Sequence, residues 1–547
     1  MLDLLLLVYL LAFVALAFDA HAFLPSRSGG IWSAGLERIA RTKGLFATDD
    51  GGDRNEEGLK IAVVGAGPSG LLLSHLLLND GNKNGNQITL FDGRSDPRTN
   101  QLEGRAYALG LGVRGRTSIR TVDEALWEAV KSRGYESERF KLHLSLSEKK
   151  DLVIPLRSDS KTSKSSPSYV EPSLLIYQSE LCASLLEELE ERQDGTESVG
   201  IHFGTRVVDC DLGSMTIRTL PANGRNTTSD AASSEFGPFD LIVGCDGVNS
   251  QVRSSIDQNF EEFSTTRERL PGFLKVVRLG YAAGATNEDG SDVYDPTAVS
   301  LLIPSGAFIE PTGDDGSCCI LFNGRGDNAD SESIPVYLRE TENITAVVEG
   351  LKSNFPKWKE EAFADIADQL VAQDLVSNSA YSVVCNTYHY RDQAVLVGDA
   401  AHATGGVSGQ GVNSALVDAV VLAESLQPPA GHKRPLDLER SLLDYSTRQL
   451  PEGKALYDLS FGPKPKGLSK KLLWGLRNAR DALFQGRLGV GEQTLQTRLS
   501  SELTSFAEIR REREYFYSNG DVDEEGKASF PSEDDFRMQL ESMHKKK

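Results

Sequence analysis

Three clusters of glycine and aspartate, far apart in the chain, have the residue types and spacing to hold an extended anionic ligand against bare backbone. The most elaborate runs from Ala394 to Leu426, AVLVGDAAHATGGVSGQGVNSALVDAVVLAESL. Ala394-Val395-Leu396-Val397 is short, apolar and β-branched, which suits a buried strand. Gly398-Asp399 ends it, five glycines fall between Gly398 and Gly411, and Val412 to Leu426 has the pattern of an amphipathic helix. At such a helix start the unpaired N–H groups and the positive end of the dipole favour negative charge, and glycines let a ligand come close. Taken alone, the stretch also reads as a plain glycine-rich link between a strand and a helix.

The second cluster makes the plain reading harder to keep. Lys60-Ile61-Ala62-Val63-Val64 is a buried-type strand that runs straight into Gly65-Ala66-Gly67-Pro68-Ser69-Gly70, and an apolar helix follows from Leu71. A further strand, Gln87 to Phe91, ends in Asp92, about 20 residues past the last glycine. This is the dinucleotide-binding arrangement, with glycines for the turn and the pyrophosphate and an acid for the ribose hydroxyls. The motif does not separate a flavin from a nicotinamide dinucleotide. The third cluster, Asp240 to Gly247 (DLIVGCDG), again delivers an acid beside a glycine at a strand end. Repetition of the device predicts one extended ligand held from several sides.

The elements that must position these residues are limited by composition. The chain has 547 residues, room for two or three domains and a large core. Its net charge of −21 argues against nucleic acid and against docking on an anionic membrane. Cys182, Cys210, Cys245, Cys318, Cys319 and Cys385 have neither paired nor metal-type spacing, so no metal site is expected. Leu4 to Phe18 is an apolar run too short to span a bilayer comfortably, and Ala20-His21-Ala22 is a small-x-small cleavage site. The Ser-, Gly- and Arg-rich residues from Phe23 to about Thr48 have transit-peptide composition. Strand-and-turn patterns between Leu274 and Asn323 predict an antiparallel sheet, and Asn354 to Asp374 predicts a helix. Arg105, with Arg114 and Arg116, could serve a phosphate-rich cofactor or face solvent. Toward the C-terminus, Leu468–Phe484 and Leu495–Phe516 read as amphipathic helices, for which packing on the catalytic domains is the default and peripheral membrane contact the alternative.

Together, G-x-G-x-x-G near the start, D-G-x-x-S-x-x-R from Asp246 to Arg253 and G-D-A-A-H…G-Q-G from Gly398 to Gly411 resemble the single-component FAD-dependent monooxygenases of the aromatic hydroxylase superfamily. Smaller matches, among them Ser145–Lys150 and Val384–Tyr390, are similar to the kynurenine 3-monooxygenase group. The resemblance implies that Gly65, Gly67, Pro68, Ser69 and Gly70 hold the FAD pyrophosphate, with Arg105 among the cofactor contacts, and that Asp92 holds the adenosine ribose. Asp246 and Gly247 would lie near the pyrophosphate and the NAD(P)H path, and Asp399 on the ribityl chain. Gly409, Gly411, Val412 and Asn413 would face the isoalloxazine. It also marks departures. Gly406 stands where the group has proline, Gln178 where it has an arginine on the pyrophosphate, and Lys141 and Leu156 where kynurenine enzymes have an arginine and a tyrosine. Lys141, Gly406 and Asn413 are the substrate-side candidates. His402 is expected to be structural rather than a base.

The expected fold is α/β: a Rossmann-like FAD-binding domain, a parallel sheet with helices, interleaved with an antiparallel β-sheet substrate domain and followed by a helical C-terminal region. The boundaries expected are 1–22 signal peptide, 23–58 transit peptide and linker, and 59–140, 240–265 and 381–427 as three parts of the FAD domain. Residues 141–239 are mixed, 266–380 form the substrate sheet, 428–518 the C-terminal helices and 519–547 an acidic, polar tail. The resemblance implies an oxidoreductase using FAD, NADPH or NADH as transient reductant, O2 and a small aromatic or isoprenoid-type substrate. The alternatives are a non-oxygenating reductase on the same fold and a non-catalytic flavin-binding protein. Neither nucleic acid nor a transmembrane anchor is expected in the mature form. The N-terminus resembles a bipartite plastid address, with the secretory pathway as the alternative.

Overall fold

The computed structural model describes residues 58–78, 85–99, 107–137, 139–147, 150–157, 171–192, 198–222, 233–270, 273–286, 292–324, 334–340, 342–373, 380–427, 436–463, 495–517 and 530–545. The signal and transit segments, Arg105 and the Leu468–Phe484 segment lie outside the described residues.

The three motif strands are neighbours in one six-stranded sheet. Its order is His389–Tyr390, Ala394–Leu396, Leu241–Gly244, Lys60–Val64, Gln87–Phe91, Val199–His202. All pairs are parallel except the two-residue edge strand His389–Tyr390. Such strands are apolar without alternation because helices cover both faces, and Ile61 to Val63, Leu241 to Val243 and Ala394 to Leu396 are fully buried. Helices Pro68–Leu77 and Gly411–Ser425 pack on each other, with Gln178–Glu191 against the first. Parallel order brings the carboxyl ends of all three motif strands to one edge, the place where open α/β sheets take ligands.

A second six-stranded sheet has the order Phe273–Leu279, Cys318–Gly324, Ala307–Pro311, Val299–Ile303, Phe140–Ser147, Lys150–Arg157. It is antiparallel except between Val299–Ile303 and Phe140–Ser147. One face is covered by helices Ile344–Asn354 and Glu360–Val371, around Phe322, Phe355 and Trp358. The helix expected over Asn354–Asp374 starts only at Glu360, because the chain leaves the preceding helix at Asn354 and Phe355 folds back to stack on Trp358 at 4.1 Å. Gln369 and Gln373 each bond both backbone groups of an edge-strand residue, Arg278 and Val276, so the helix finishes the sheet edge as a further strand would.

The C-terminal region differs from expectation in two ways. Leu495–Phe516 is not one helix but three short ones, Leu495–Ser501, Phe506–Arg511 and Glu514–Tyr517. Ser505 caps a new start, and the Glu452 carboxylate of helix Leu438–Phe461 accepts from the Phe506 and Ala507 N–H groups, which a continuous helix would not leave free. Within the stretch read as a polar tail, Glu533–Lys545 is a helix that packs on Leu438–Phe461 through buried Phe536 and Leu540, four residues apart on one face.

That last helix is held by a pair of imidazoles. His544 stacks on His389 with ring centroids 4.3 Å apart and lies 4.9 Å from the Phe260 ring, while His389 Nδ1 meets Ser446 Oγ at 2.7 Å. Burial pushes both below the ordinary 6.5; His389 is lowered further by His544, and His544 by Arg391 against the opposing charge of Glu262. The undocked histidines therefore bind protons that the docked ones refuse. Docking is fully supported above about pH 6.5 and weakens as pH falls toward the docked values. The protection factors of the amides of residues 533–545, with the intrinsic pH dependence of exchange divided out, are expected to fall between about pH 7.5 and about pH 5.5, and His544→Phe to flatten that response.

Candidate functional site

The first glycine cluster divides into positions demanded by packing and positions that packing leaves open. Gly65 has φ +106, and a Cβ there would sit 2.3 Å from the Cys245 carbonyl oxygen. At Gly70 a Cβ would lie 2.1 Å from the Gly65 carbonyl oxygen. Gly67, the N-cap of helix Pro68–Leu77, has ordinary extended backbone and nothing within 4 Å of an added Cβ. No side chain caps this helix and no acid occupies its first turn, so its leading N–H groups are left for an anion.

Asp92 is buried and saturated. Its Oδ2 accepts from the Ala66 N–H at 2.9 Å and from Arg94 Nη2 at 2.7 Å, and its Oδ1 accepts from the Arg94 N–H at 2.8 Å and Nε at 3.0 Å. Ala66, Asp92, Arg94, Gln178 and Ser179 line one cavity, and Gln178 Oε1 and Ser179 Oγ are buried there with no partner. A ribose can reach the Asp92 carboxylate only where the half-exposed Arg94 swings away. Arg94→Ala is therefore expected to leave FAD affinity unchanged or raise it, whereas Asp92→Ala lowers it roughly tenfold, as read by flavin fluorescence titration.

The other clusters meet the first across the sheet edge. Asp246 Oδ2 accepts from the Gln251 N–H at 2.6 Å; Oδ1 is buried without a partner, and burial pushes the carboxyl up. Gly247 has φ +71 and open space at its Cβ position. Arg253, whose motif position was legible but whose task was not, donates to the carbonyls of Ala400 and Val248 at 2.9 and 2.7 Å. It thereby clasps the Asp246 loop to the Gly398–Ala400 turn that carries half-buried Asp399.

Along the third cluster, Gly406 and Gly409 have φ +81 and +67 and nothing within 4 Å of an added Cβ. Helix Gly411–Ser425 starts without a side-chain cap or an acid in its first turn, and Gln410 Oε1 is buried and unpartnered. Val412 is half-buried beside this start. His402 is buried with Nε2 2.6 Å from Asp418 Oδ2, which also accepts from the Gly398 N–H at 2.9 Å. Burial alone would lower the imidazole, but the charge and hydrogen bond of Asp418 outweigh it and leave His402 above its ordinary 6.5. That geometry ties the turn to the helix and makes His402 a support.

Several residues expected at the cofactor or the substrate have other tasks. Asn413 is fully buried, with Oδ1 accepting from the Gly112 and Gly115 N–H groups at 2.9 and 3.2 Å and Nδ2 donating to the Gly110 carbonyl at 2.9 Å. It brackets the end of strand Ala108–Leu111 to the helix start, and its amide is spent on backbone. Arg114 and Arg116 are buried: Arg114 donates to the carbonyls of Leu499 and Thr504 beneath Phe506, and Arg116 pairs with Glu171 at 2.8 Å. Lys141 Nζ is bound to Asp295 at 2.7 Å. Burial favours the neutral acid at Asp295, yet hydrogen bonds from Lys141 and Thr297 hold its carboxyl below the usual carboxylate range. Lys141 is opposite Ser300, itself opposite Ile309, so it belongs to the sheet face that carries the helices.

A parallel sheet whose glycine-lined edge joins a helix start, with a second sheet beside it, defines a dinucleotide-binding α/β protein. The FAD binding domain family model matches residues 58–281 and 360–460, more than half of the chain, and the protein belongs to that family. Kynurenine 3-monooxygenase of Christiangramia forsetii is 28% identical over 414 residues, covering 73% of this chain and 79% of that one. The Sus scrofa kynurenine 3-monooxygenase is 26% identical over 408 residues, covering 73% and 74%. Among solved structures, the tetrameric form of 2-methyl-3-hydroxypyridine-5-carboxylic acid oxygenase has a TM-score of 0.51 at 19% identity, over 80% of this chain and 95% of that one, and shares the fold. The residues present suit FAD. Bare backbone at Gly67, Gly247, Gly406 and Gly409, with unpartnered buried oxygens at Asp246, Gln178 and Gln410, makes a cradle that packing of the protein alone does not require.

Proposed function

We propose that this chain is an FAD-dependent monooxygenase that uses NAD(P)H and O2 to hydroxylate or epoxidise a small aromatic or isoprenoid-type substrate, similar to the kynurenine 3-monooxygenases but with an altered pocket. The observation that carries the reading is the run of open glycines leading from Gly406 to the uncapped helix start at Gly411. When bound, FAD supplies both the acceptance of hydride and the activation of O2. The residues of the chain supply position and charge. Gly67, Pro68 and Ser69 offer their helix start to the pyrophosphate, Gly65 and Gly70 keep strand and helix close, and Asp92 is the ribose acid. Asp246 and Gly247 line the middle of the cradle, and Asp399 is placed for the ribityl hydroxyls. The leading N–H groups of Gly411 and Val412 carry positive dipole toward the flavin ring and so favour its reduced, negatively charged form. Asn413 holds this start in register through Gly110, Gly112 and Gly115. His402, bound to Asp418, is not available as a base.

Oxygen uptake matched to NAD(P)H oxidation, with one atom from labelled O2 in the product, is the outcome expected of the purified protein given its substrate. Reduction of the flavin with no oxygen atom transferred would favour the reductase alternative, which Gly406 in place of proline keeps open. A flavin never reduced by NADPH or NADH would favour the non-catalytic one. We also propose delivery to a plastid through the signal and transit segments. Residues 1–58 fused to a fluorescent protein should accumulate inside plastids of an alga whose plastids lie within the secretory system, and export of the fusion would overturn this.

A further inference from the structure

Glu310, in strand Ala307–Pro311, has no part in the cofactor cradle. Register fixes which way it points. Phe308 is opposite Leu321 and Leu301, Ile309 opposite Ile320 and Ser300, and Glu310 opposite Cys319, which is itself opposite Arg278. Ile309 belongs to the core beneath the helices, so Phe308 and Glu310 belong to the other face, with Leu142, Leu144 and Leu301. That face meets the first sheet's domain: the Arg278 guanidinium lies 3.8 Å over the Tyr177 ring, and Cys319 hydrogen-bonds the backbone of Ala108. Ala108 begins the strand whose Gly110 is bracketed by Asn413 to the helix start at Gly411. Glu310 thus stands on an apolar wall turned toward the proposed flavin side.

The residue is 8% exposed, and its Oε2 is buried with no hydrogen-bond partner. A buried polar atom left unpaired costs stability unless something else pairs with it. We propose that Glu310 is the specificity residue of the substrate pocket, pairing with a hydrogen-bond-donating amino or hydroxyl group on an otherwise apolar aromatic substrate and disfavouring carboxylic acids. This rests on the monooxygenase reading. Burial pushes the acid up to about 8, so near neutral pH it exchanges hydrogen bonds with a hydroxyl as a neutral acid, or ionises when an ammonium approaches. Lys141, the cation expected for a substrate carboxylate, is ion-paired on the opposite face, and the cation in register with Glu310, Arg278, is stacked on the Tyr177 ring, so the carboxyl of Glu310 itself sets the preference against a substrate carboxylate.

The test uses the FAD-loaded protein with three probes on one scaffold: 2-naphthylamine, 2-naphthol and 2-naphthoate. Titrations followed by the flavin absorption spectrum should give the amine or the naphthol a Kd roughly tenfold or more below that of the naphthoate. Glu310→Gln and Glu310→Leu should raise the lower Kd by roughly tenfold while FAD content stays unchanged and Tm does not fall, rising in Glu310→Leu as the unpaired buried oxygen is removed. Preference between amine and naphthol assigns the recognised group. A hydrophobic carbodiimide should label Glu310, read by peptide mass spectrometry, and the tighter probe should block it. The proposal is overturned if the naphthoate binds as well, if none of the probes binds, if the substitutions leave Kd unchanged, or if Glu310 resists labelling. Protein that never takes up FAD would instead overturn the parent reading.

Discussion

Gly67→Ala is expected to leave the melting temperature of the apoprotein where it was and to weaken FAD binding by about a hundredfold, whereas Gly65→Ala should damage both. The two glycines are two residues apart in one motif but answer to different neighbours. At Gly65 a methyl group would sit 2.3 Å from the Cys245 carbonyl, and φ is +106, where L side chains are strained. Relief requires the Lys60–Val64 and Leu241–Gly244 strands to separate, at about 1–3 kcal/mol for overpacking with backbone strain added. At Gly67 the backbone is extended and the space is open, so the fold tolerates a methyl group. Only a ligand lying against that backbone would be displaced. Calorimetric melting of the apoproteins and FAD titration of both variants separate the effects. Equal FAD affinity in Gly67→Ala and wild type would mean that the cradle does not hold the pyrophosphate at this point.

Asp418→Ala should be the most damaging single change to the third motif, costing about 3–5 kcal/mol of stability and emptying the protein of flavin. Its carboxylate is fully buried and serves the Gly398 N–H and His402 Nε2 together. Truncation leaves a buried backbone donor and a buried imidazole unpaired, and the Gly398–Ala400 turn loses its tie to helix Gly411–Ser425. The sign of the pH dependence follows from His402. Its folded value is above 6.5, so the stabilisation is complete below about pH 6.5 and is lost as pH rises through that folded value. Wild-type unfolding should show this alkaline loss, and Asp418→Asn, which keeps the shape but not the charge, should not. Urea titrations across that range give the comparison. An unchanged pH profile in the variant would show that the pair carries no net charge interaction.

Much of the cofactor half was legible because its signals are local. A strand, a glycine turn and a helix start are neighbours in sequence, and parallel pairing of Lys60–Val64, Gln87–Phe91, Leu241–Gly244 and Ala394–Leu396 follows from apolar runs that must be buried on both faces. The C-terminal helices were harder. Whether Leu495–Phe516 runs on or breaks depends on Glu452, more than fifty residues away, offering its carboxylate to the Phe506 N–H. Phe536 and Leu540, set among acids, look like a polar tail until the surface that buries them is known.

The sequence by itself determined the class of ligand and the side of the sheet that takes it, because glycines and acids at strand ends act through backbone geometry that needs no distant partner. Tertiary structure alone decided which of those side chains remain free. Asn413 is spent on the backbone of Gly110, Gly112 and Gly115, Lys141 on Asp295, and Arg114 on the C-terminal segment, while Glu310, an unremarked acid in a strand, is left unpaired. A buried polar group must find a partner, and which groups find one inside the protein is settled only when distant segments pack.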